Sequence, residues 1–320
     1  MMVTVPDGYL HVPSPNYRVA FAFRSVRGPG MTEADADAYA KRLRMYALSE
    51  AADPPDQVLF DPIDTRYPTM PIWGLRHFEN LHAIVTVEPI KPEDKIVMGM
   101  LATLGIRRGE PFAPDSVAER AMIQASHDVW FHMQDWYDNF PKDKLFWEDR
   151  HYALLLQADE NNAFTWTCED RVDTIERAAE YFWCTYMPKV LSDNPVTQYL
   201  MAMADATGAR LESGRSYRLD VPADIPVDQF WPLTVYDRAT MGFIYTAEGR
   251  TTLSSYDLDG MVKSAEGGAS IWIGPEAPEG METNWIPTAG KRPLPAMRLY
   301  GPRPELNDRS FKMPDFEPVG

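Results

Sequence analysis

The chain has 320 residues, 45% of them apolar, which is enough for two or three cores and too apolar for a disordered polymer. Its 31 Lys and Arg stand against 47 Asp and Glu, and the net charge of -16 disfavours both nucleic acid and an anionic membrane surface as partners. No apolar run is long enough to span a bilayer, the amino terminus has no charged and apolar export signal, and Cys168 and Cys184 are too few for a zinc site or a disulfide framework.

The 28 prolines and 19 glycines suit a loop-rich, strand-bearing protein. Residues 2–12 predict a strand interrupted at Pro6-Asp7-Gly8. From Asn16 to Arg24 a second strand follows, with Tyr17, Val19, Phe21 and Phe23 on one side, and Gly28-Pro29-Gly30 breaks it. Thr32 is placed to cap a short helix reaching about Leu43, after which Arg44 to Leu48 returns as a strand. Residues 49–70 read as loop, with prolines at 54, 55, 62 and 68.

From Pro71 to about Ile106 the period becomes helical. Pro92 stands near a helix start and Gly105 just past its end, with Ile96, Met100 and Leu104 as a stripe between them. Ser116-Val117-Ala118-Glu119 predicts a capping box. It opens a helix in which Val117, Ala121, Ala125, Val129 and Met133 share a face, with Trp136 at the end. Asp173-Thr174-Ile175-Glu176 opens another helix, with Val172, Ile175, Ala179, Phe182 and Tyr186 inward and Cys184 as a small buried hydrophobe.

Gly214 marks the return to β structure. Tyr217, Leu219 and Val221 alternate with Arg218 and Asp220. Further strands are predicted near 230–237, 242–247, 251–255, 269–273 and 296–300, with a hairpin turn at Gly267-Gly268. The class is α+β, and the carboxy-terminal pattern fits a jelly-roll or related sandwich.

Several motifs carry a family likeness: Phe230-Trp231 through Tyr236-Asp237, Arg250 before Leu253-Ser254-Ser255, Asn284-Trp285-Ile286-Pro287, and Arg298-Leu299-Tyr300-Gly301-Pro302. With Leu101 to Ile106, Gly109 to Phe112 and Pro13 to Val19, these resemble the bacterial proteins that join domains of unknown function 1254 and 1214. The resemblance implies an immunoglobulin-like sandwich, a small helical domain and a carboxy-terminal jelly roll. On this chain it implies a partial 1254-like sandwich over 1–70, a helical domain over 71–190 and a 1214-like sandwich over 191–320. Members carry a long β-rich stretch ahead of this point, often after a secretion signal. The chain therefore reads as a gene fragment, a mis-called start or a naturally shortened member. The family brings no settled activity.

The candidate chemistry is sparse. His77 and His82, like His127 and His132, are five apart, a turn of about 500° that separates their rings. A zinc pair wants a spacing of four, so no metal and no cofactor are expected. Ser254 with Asp257, completed by a distant histidine, is the arrangement a metal-independent ester or glycoside hydrolase would need; turn capping is the plainer reading. Trp147-Glu148-Asp149-Arg150 places acids beside an aromatic, where burial would raise a carboxyl toward general-acid use.

The aromatic set weighs more. In Phe230 to Tyr236, Trp231, Leu233 and Val235 belong to the core, and Tyr236 faces outward. Arg298 and Tyr300 share a face opposite Met297 and Leu299. Tyr236, Asp237, Asn284, Trp285, Arg298 and Tyr300 are the expected contacts of a small neutral or cationic organic ligand, carbohydrate included, in an aromatic-lined pocket. Hydrolysis, and self-association through an aromatic patch into a homo-oligomer, are the alternatives.

Overall fold

The computed structural model describes residues 8, 11–19, 30–62, 65, 67, 70–154, 166–183 and 197–319. Contacts divide the chain into two units, Met1–Tyr67 with Trp73–Ile123, and Pro68–Ile72 with Gln124–Gly320.

The first unit is helical. Thr32 caps α1 (Glu33–Ala40): its hydroxyl accepts the Asp35 N–H at 3.2 Å, and the Asp35 carboxylate accepts the Thr32 N–H at 2.8 Å. Two orphan donors of the first turn are thereby satisfied. α2 (Leu75–Val87) is followed by a 3-10 turn beginning at Pro92, which leads into α3 (Lys95–Thr103). Gly105 then takes a φ of 77°, a conformation open to glycine, and the helix stops.

One strand expectation fails here, and the described part of another, residues 16–19, is irregular. Arg44 to Ala47 is irregular and Leu48 opens a 3-10 turn, because the side-chain amide of Gln57 bonds both the N–H and the C=O of Met45 at 2.9 Å. Likewise the N–H groups of Tyr17 and Arg18 are taken by the Glu88 carboxylate, at 2.8 and 3.1 Å. Those backbone groups are no longer available to a sheet. Among the described residues of 1–70 there is no strand. The first predicted strand and residues 20–24 of the second fall almost wholly outside the described residues.

The Ile96, Met100 and Leu104 stripe is helical as expected but lies open, at 74, 63 and 43% exposure. Periodicity tells which side chains share a face and not whether anything covers them. Met100→Glu is therefore expected to change the unfolding free energy, read from denaturant titration, by no more than about 0.5 kcal/mol. A buried methionine would cost about 2–5 kcal/mol on truncation.

α4 (Ser116–Asp138) contains the unit boundary. Its cap is Asp115 rather than Ser116, since the Asp115 carboxylate accepts the N–H groups of Val117 and Ala118 at 2.9 and 2.8 Å. The negative charge also suits the helix amino end. The buried face is Met122, Ser126, Met133 and Tyr137, with Trp130 half-buried. Met133 is buried as predicted, but from Met122 to Trp130 the covered row lies one residue, about 100°, from the predicted Ala121, Ala125 and Val129. Val117 and Val129 are exposed. A serine on the covered side disguises the true stripe. In α5 (Thr174–Trp183), Ala179 and Phe182 are buried while Val172 and Ile175 are exposed. Cys184 and Tyr186 lie outside the described residues.

The second unit carries two sheets. The larger runs β1 (Tyr152–Leu154), β2 (Thr197–Ala202), β9 (Pro293–Pro302), β5 (Pro232–Asp237), β6 (Thr252–Ser254), with β4 (Val227–Phe230) also on β9. The smaller runs β10 (Glu317–Val319), β3 (Ser216–Val221), β7 (Ala269–Gly274), β8 (Trp285–Pro287). Pairing is antiparallel except between β7 and β8. One core joins the sheets: Leu200, Leu233, Val235 and Leu299 from the larger, with Tyr217, Leu219, Ile271, Ile273 and Ile286 from the smaller. The whole is a mixed α+β architecture with a helical middle and carboxy-terminal sheets, and no barrel closes among the described residues.

The predicted strand at 242–247 is reduced to one bridge, Phe243 to Tyr236. The hairpin at Gly267-Gly268 is present, with a Ser264 N–H to Gly268 C=O bond of 2.8 Å. Gly268 is needed there, because a Cβ would sit 2.2 Å from the Val221 carbonyl oxygen.

Candidate functional site

Strand alternation sets the site. On β9, Met297 and Leu299 enter the shared core, so Leu294, Ala296, Arg298 and Tyr300 lie on the outer face of the larger sheet. Register places Tyr199 of β2 opposite Arg298, Phe230 of β4 opposite Tyr300, and Tyr236 of β5 opposite Leu294. Ala296, between Arg298 and Leu294 on that face, is small. The Arg298 side chain meets Tyr236, two positions away along the face. Tyr236, Arg298 and Tyr300 thus share one surface.

Arg298 is held flat. Its Nη2 donates to the Tyr236 hydroxyl, and its guanidinium carbon lies 5.4 Å from the Tyr199 ring centre and 5.9 Å from that of Tyr236. Its Nε is buried without a described hydrogen-bond partner; its Nη1 has no described hydrogen bond and is not fully buried. No described carboxylate lies within 4.0 Å of it. Burial raises the Tyr236 phenol above its ordinary pKa, and the Arg298 charge opposes that rise.

Ring stacks stand on either side. Tyr236 and Phe243 stack at 5.3 Å and 19°. Tyr300 and Phe230 stack at 4.4 Å and 4°, and Phe230 and Tyr256 at 5.0 Å and 17°. Tyr256 is 70% exposed and Phe243 49%. Tyr199, Phe243 and Tyr256 escaped the sequence reading. Tyr199 lies on β2, whose segment carries no clear alternation in the sequence, and Tyr256 lies in the turn capped by Ser254.

The other three predicted contacts lie elsewhere. Asn284 is fully buried: its Oδ1 accepts from the Val262 N–H at 2.8 Å and the Thr283 hydroxyl at 3.0 Å, and its Nδ2 donates to the carbonyls of Val262 and Ser270 at 2.8 and 2.9 Å. Trp285 belongs to the smaller sheet, where its indole N–H donates to the Gly274 carbonyl at 3.0 Å. Asp237 is buried, accepting from Lys291 Nζ at 2.8 Å and the Ala239 N–H at 3.0 Å. It pins a turn. Face periodicity groups residues within a strand, but it cannot say which sheet a strand joins.

The carboxy end of α4 covers the neighbouring part of the same face. Tyr137 packs with Met201, Leu294 and Ala296, and Trp136, Tyr236 and Met241 border them. Asp138 anchors that end. Arg292 reaches its two oxygens with Nη1 and Nη2 at 3.0 and 2.9 Å, Arg238 Nη2 lies at 3.2 Å and Arg210 Nη1 at 3.8 Å. Arg238 also donates to the Gln134 side chain and sits 4.2 Å over the Tyr137 ring. Burial works against ionisation of Asp138, but the Arg292 hydrogen bonds and the three guanidinium charges outweigh it and hold the carboxyl below its ordinary pKa. Burial pulls Arg238 below its ordinary value and pushes the Tyr137 phenol up. Cations at a helix carboxy end also meet the negative pole of its dipole.

Ser254, His151 and His82 all have structural partners. The Ser254 hydroxyl donates to Asp257 at 2.7 Å, and the same carboxylate accepts the Ser254 N–H at 2.8 Å, which is a cap for the turn that follows. His151 pairs through Nδ1 with Asp315 at 3.0 Å, and His82 Nε2 meets the Glu110 carbonyl at 2.8 Å. Asp149 departs from the raised carboxyl expected beside Trp147. A hydrogen bond from Lys312 lowers it. Among the described residues no group of three or more His, Cys, Asp and Glu could hold a metal ion, and no helix is long and apolar enough to cross a membrane. An open groove of about 410 Å³ lies where β3 meets β7, lined by Arg218, Asp220, Glu266 and Ser270 among others and by none of the six predicted contacts.

No protein of curated function matches the chain. Among solved structures it is similar to the VPA0106 protein from Vibrio parahaemolyticus, with 15% identity and a TM-score of 0.42 over 91% of this chain and 66% of that one. It is also similar to an uncharacterized protein from Burkholderia cenocepacia, with 11% identity and a TM-score of 0.30 over 66% of this chain and 46% of that one. The chain therefore spans less than two thirds of the length of either. Residues 196–304, which contain the whole aromatic face, match the family described as Protein of unknown function (DUF1214).

Proposed function

We propose that the sandwich expected over 191–320 is a binding module, and that it takes a small organic ligand bearing a flat ring, carbohydrate included, on the outer face of the larger sheet. The observation that carries this is the stack of Tyr300, Phe230 and Tyr256, which ends in a ring that is 70% exposed. A phenol ring left that open forgoes its own burial, yet it is aligned by its neighbours to receive another flat ring. A jelly-roll-like path for the sheets suits such a module, since lectin domains use that architecture. Fold analogy alone assigns no function.

Tyr256→Ala and Phe243→Ala test the reading. Both side chains are exposed, so thermal unfolding should hardly move. Affinity for a ring ligand in a titration panel should fall by roughly fivefold for each, the equivalent of about 1 kcal/mol of stacking. Unchanged affinity in both variants would remove the face from the binding reaction.

Self-association through this patch is a second reading, favoured by the same exposed rings. Sedimentation over a concentration range would reveal it as a mass that rises with concentration and falls back in Tyr256→Ala.

A further inference from the structure

The geometry points to a ligand that carries negative charge among its rings: an oligosaccharide with carboxylated sugars, of the uronic-acid type. This rests on the binding-face reading above and narrows it. The average charge of the chain suggests a neutral or cationic ligand, but the charge at the face itself has the opposite sign. In a chain with 47 acids and 31 bases, Arg298 stands between two ring stacks with no described carboxylate within 4.0 Å. Its Nη2 is fixed by Tyr236, its guanidinium carbon lies near the rings of Tyr199 and Tyr236, and its Nη1 has no described hydrogen bond and is not fully buried. A guanidinium oriented in advance loses little freedom when a carboxylate arrives, and the bond formed is charge-assisted.

The shape of the face selects the class. Leu294 to Tyr300 spans about 20 Å of extended strand, at about 3.3 Å per residue. Rings lie toward both ends, with the cation between them. A small aromatic acid is held best in a cavity that covers most of its surface. Leu294 and Ala296 are covered by Tyr137, so the accessible rings are those of Phe243 and Tyr256 at the ends of the two stacks, and a chain of sugar rings can bridge them with a carboxylate at Arg298. Single-stranded nucleic acid also stacks on aromatics, but it brings a phosphate with every nucleotide and requires a cationic groove, which one arginine does not make. The net charge of -16 does not forbid the contact. At physiological salt the average field is screened beyond about 8 Å, whereas a direct hydrogen-bonded pair is not.

Calorimetric titration of the full chain at physiological salt tests this with three probes: an oligogalacturonate, the same oligomer as its methyl ester, and oligothymidylate. The expected result is that wild type binds the acid at least tenfold more tightly than the ester. Arg298→Gln should bring the two together by weakening the acid alone, and Tyr256→Ala should weaken both. The central comparison, acid against ester, is made on wild type and needs no variant to fold. Equal binding of acid and ester by wild type would overturn the charge inference while leaving the ring-binding face intact. Binding of neither sugar would overturn the carbohydrate class, and the face itself falls if the ring-ligand panel also shows no effect of Tyr256→Ala. Preference for oligothymidylate over both sugars would overturn the ligand class in favour of nucleic acid.

Discussion

Asp138→Ala is expected to destabilise the second unit by about 3–5 kcal/mol, read as a lowered guanidinium midpoint. The carboxylate is the counterion of Arg292, Arg238 and Arg210, and Arg238 is only 3% exposed, too buried to recover water once its partner is gone. Removing the anion takes the carboxylate away from three guanidinium groups, one of them buried, and frees the last turn of α4 from the sheet. Asp138→Asn should cost less, because an amide oxygen still accepts a hydrogen bond while the charges go unmatched. A loss of unfolding free energy under about 1 kcal/mol for the alanine variant would show that solvent replaces the carboxylate and that the cluster is not an anchor.

The same carboxyl gives a pH signature. Its folded pKa lies below the ordinary 3.8, so the unfolded chain takes up its proton first as pH falls. Its stabilisation is complete above the unfolded value and is lost as pH drops through the depressed folded one. Wild type should therefore lose stability on the acid side more steeply than Asp138→Asn, in which that proton uptake is absent. Parallel acid limbs in the two proteins would contradict the assignment.

Asn284→Ala is expected to cost about 3 kcal/mol, even though nothing in the binding face touches it. The side chain makes four hydrogen bonds in a fully buried setting, two of them to both sides of the Val262 peptide linkages and one to Ser270. Truncation strands the Val262 N–H and two carbonyls, each at about 1–3 kcal/mol before relaxation. Asn284→Asp should be no milder at neutral pH. A carboxylate can accept from Val262 N–H, but it faces two carbonyl oxygens to which it has no proton to give. Protonation restores one donor, so this variant should regain stability on mild acidification, opposite in sign to the Asp138 effect. Hydrogen exchange at the Val262 amide would check the mechanism directly, since protection there should fall more in the alanine variant than in the aspartate variant, which keeps an acceptor for that N–H.

Much of the β architecture was legible because strands carry a period of two. Trp231, Leu233 and Val235 were separable from Tyr236, and Leu299 from Arg298 and Tyr300, by alternation alone. The partners of these residues were not legible. Tyr199 meets Arg298 only through the pairing of β2 with β9, some hundred positions apart, and nothing in either segment announces the match. Asn284 and Trp285 were grouped with Tyr236 because all are polar-edged or aromatic, but tertiary pairing sends them to the smaller sheet. Helix periods misled differently. Valine and alanine at 117, 121, 125 and 129 outweighed a buried row containing Ser126, although that row holds the larger side chains. The Asp138 cluster could not have been read at all, since its arginines come from 210, 238 and 292.

β9 pairs with β2, β4 and β5, so one ten-residue segment near the end of the chain closes most of the larger sheet. During synthesis at about 5–20 residues per second, roughly five to twenty seconds separate the emergence of β2 from that of β9. Through that interval the hydrogen-bonding edges of β2 and β5 that β9 will occupy have no native neighbour. Such late zipping marks the nascent sheet, rather than the finished one, as the stage at which chaperones and proteases have their opening.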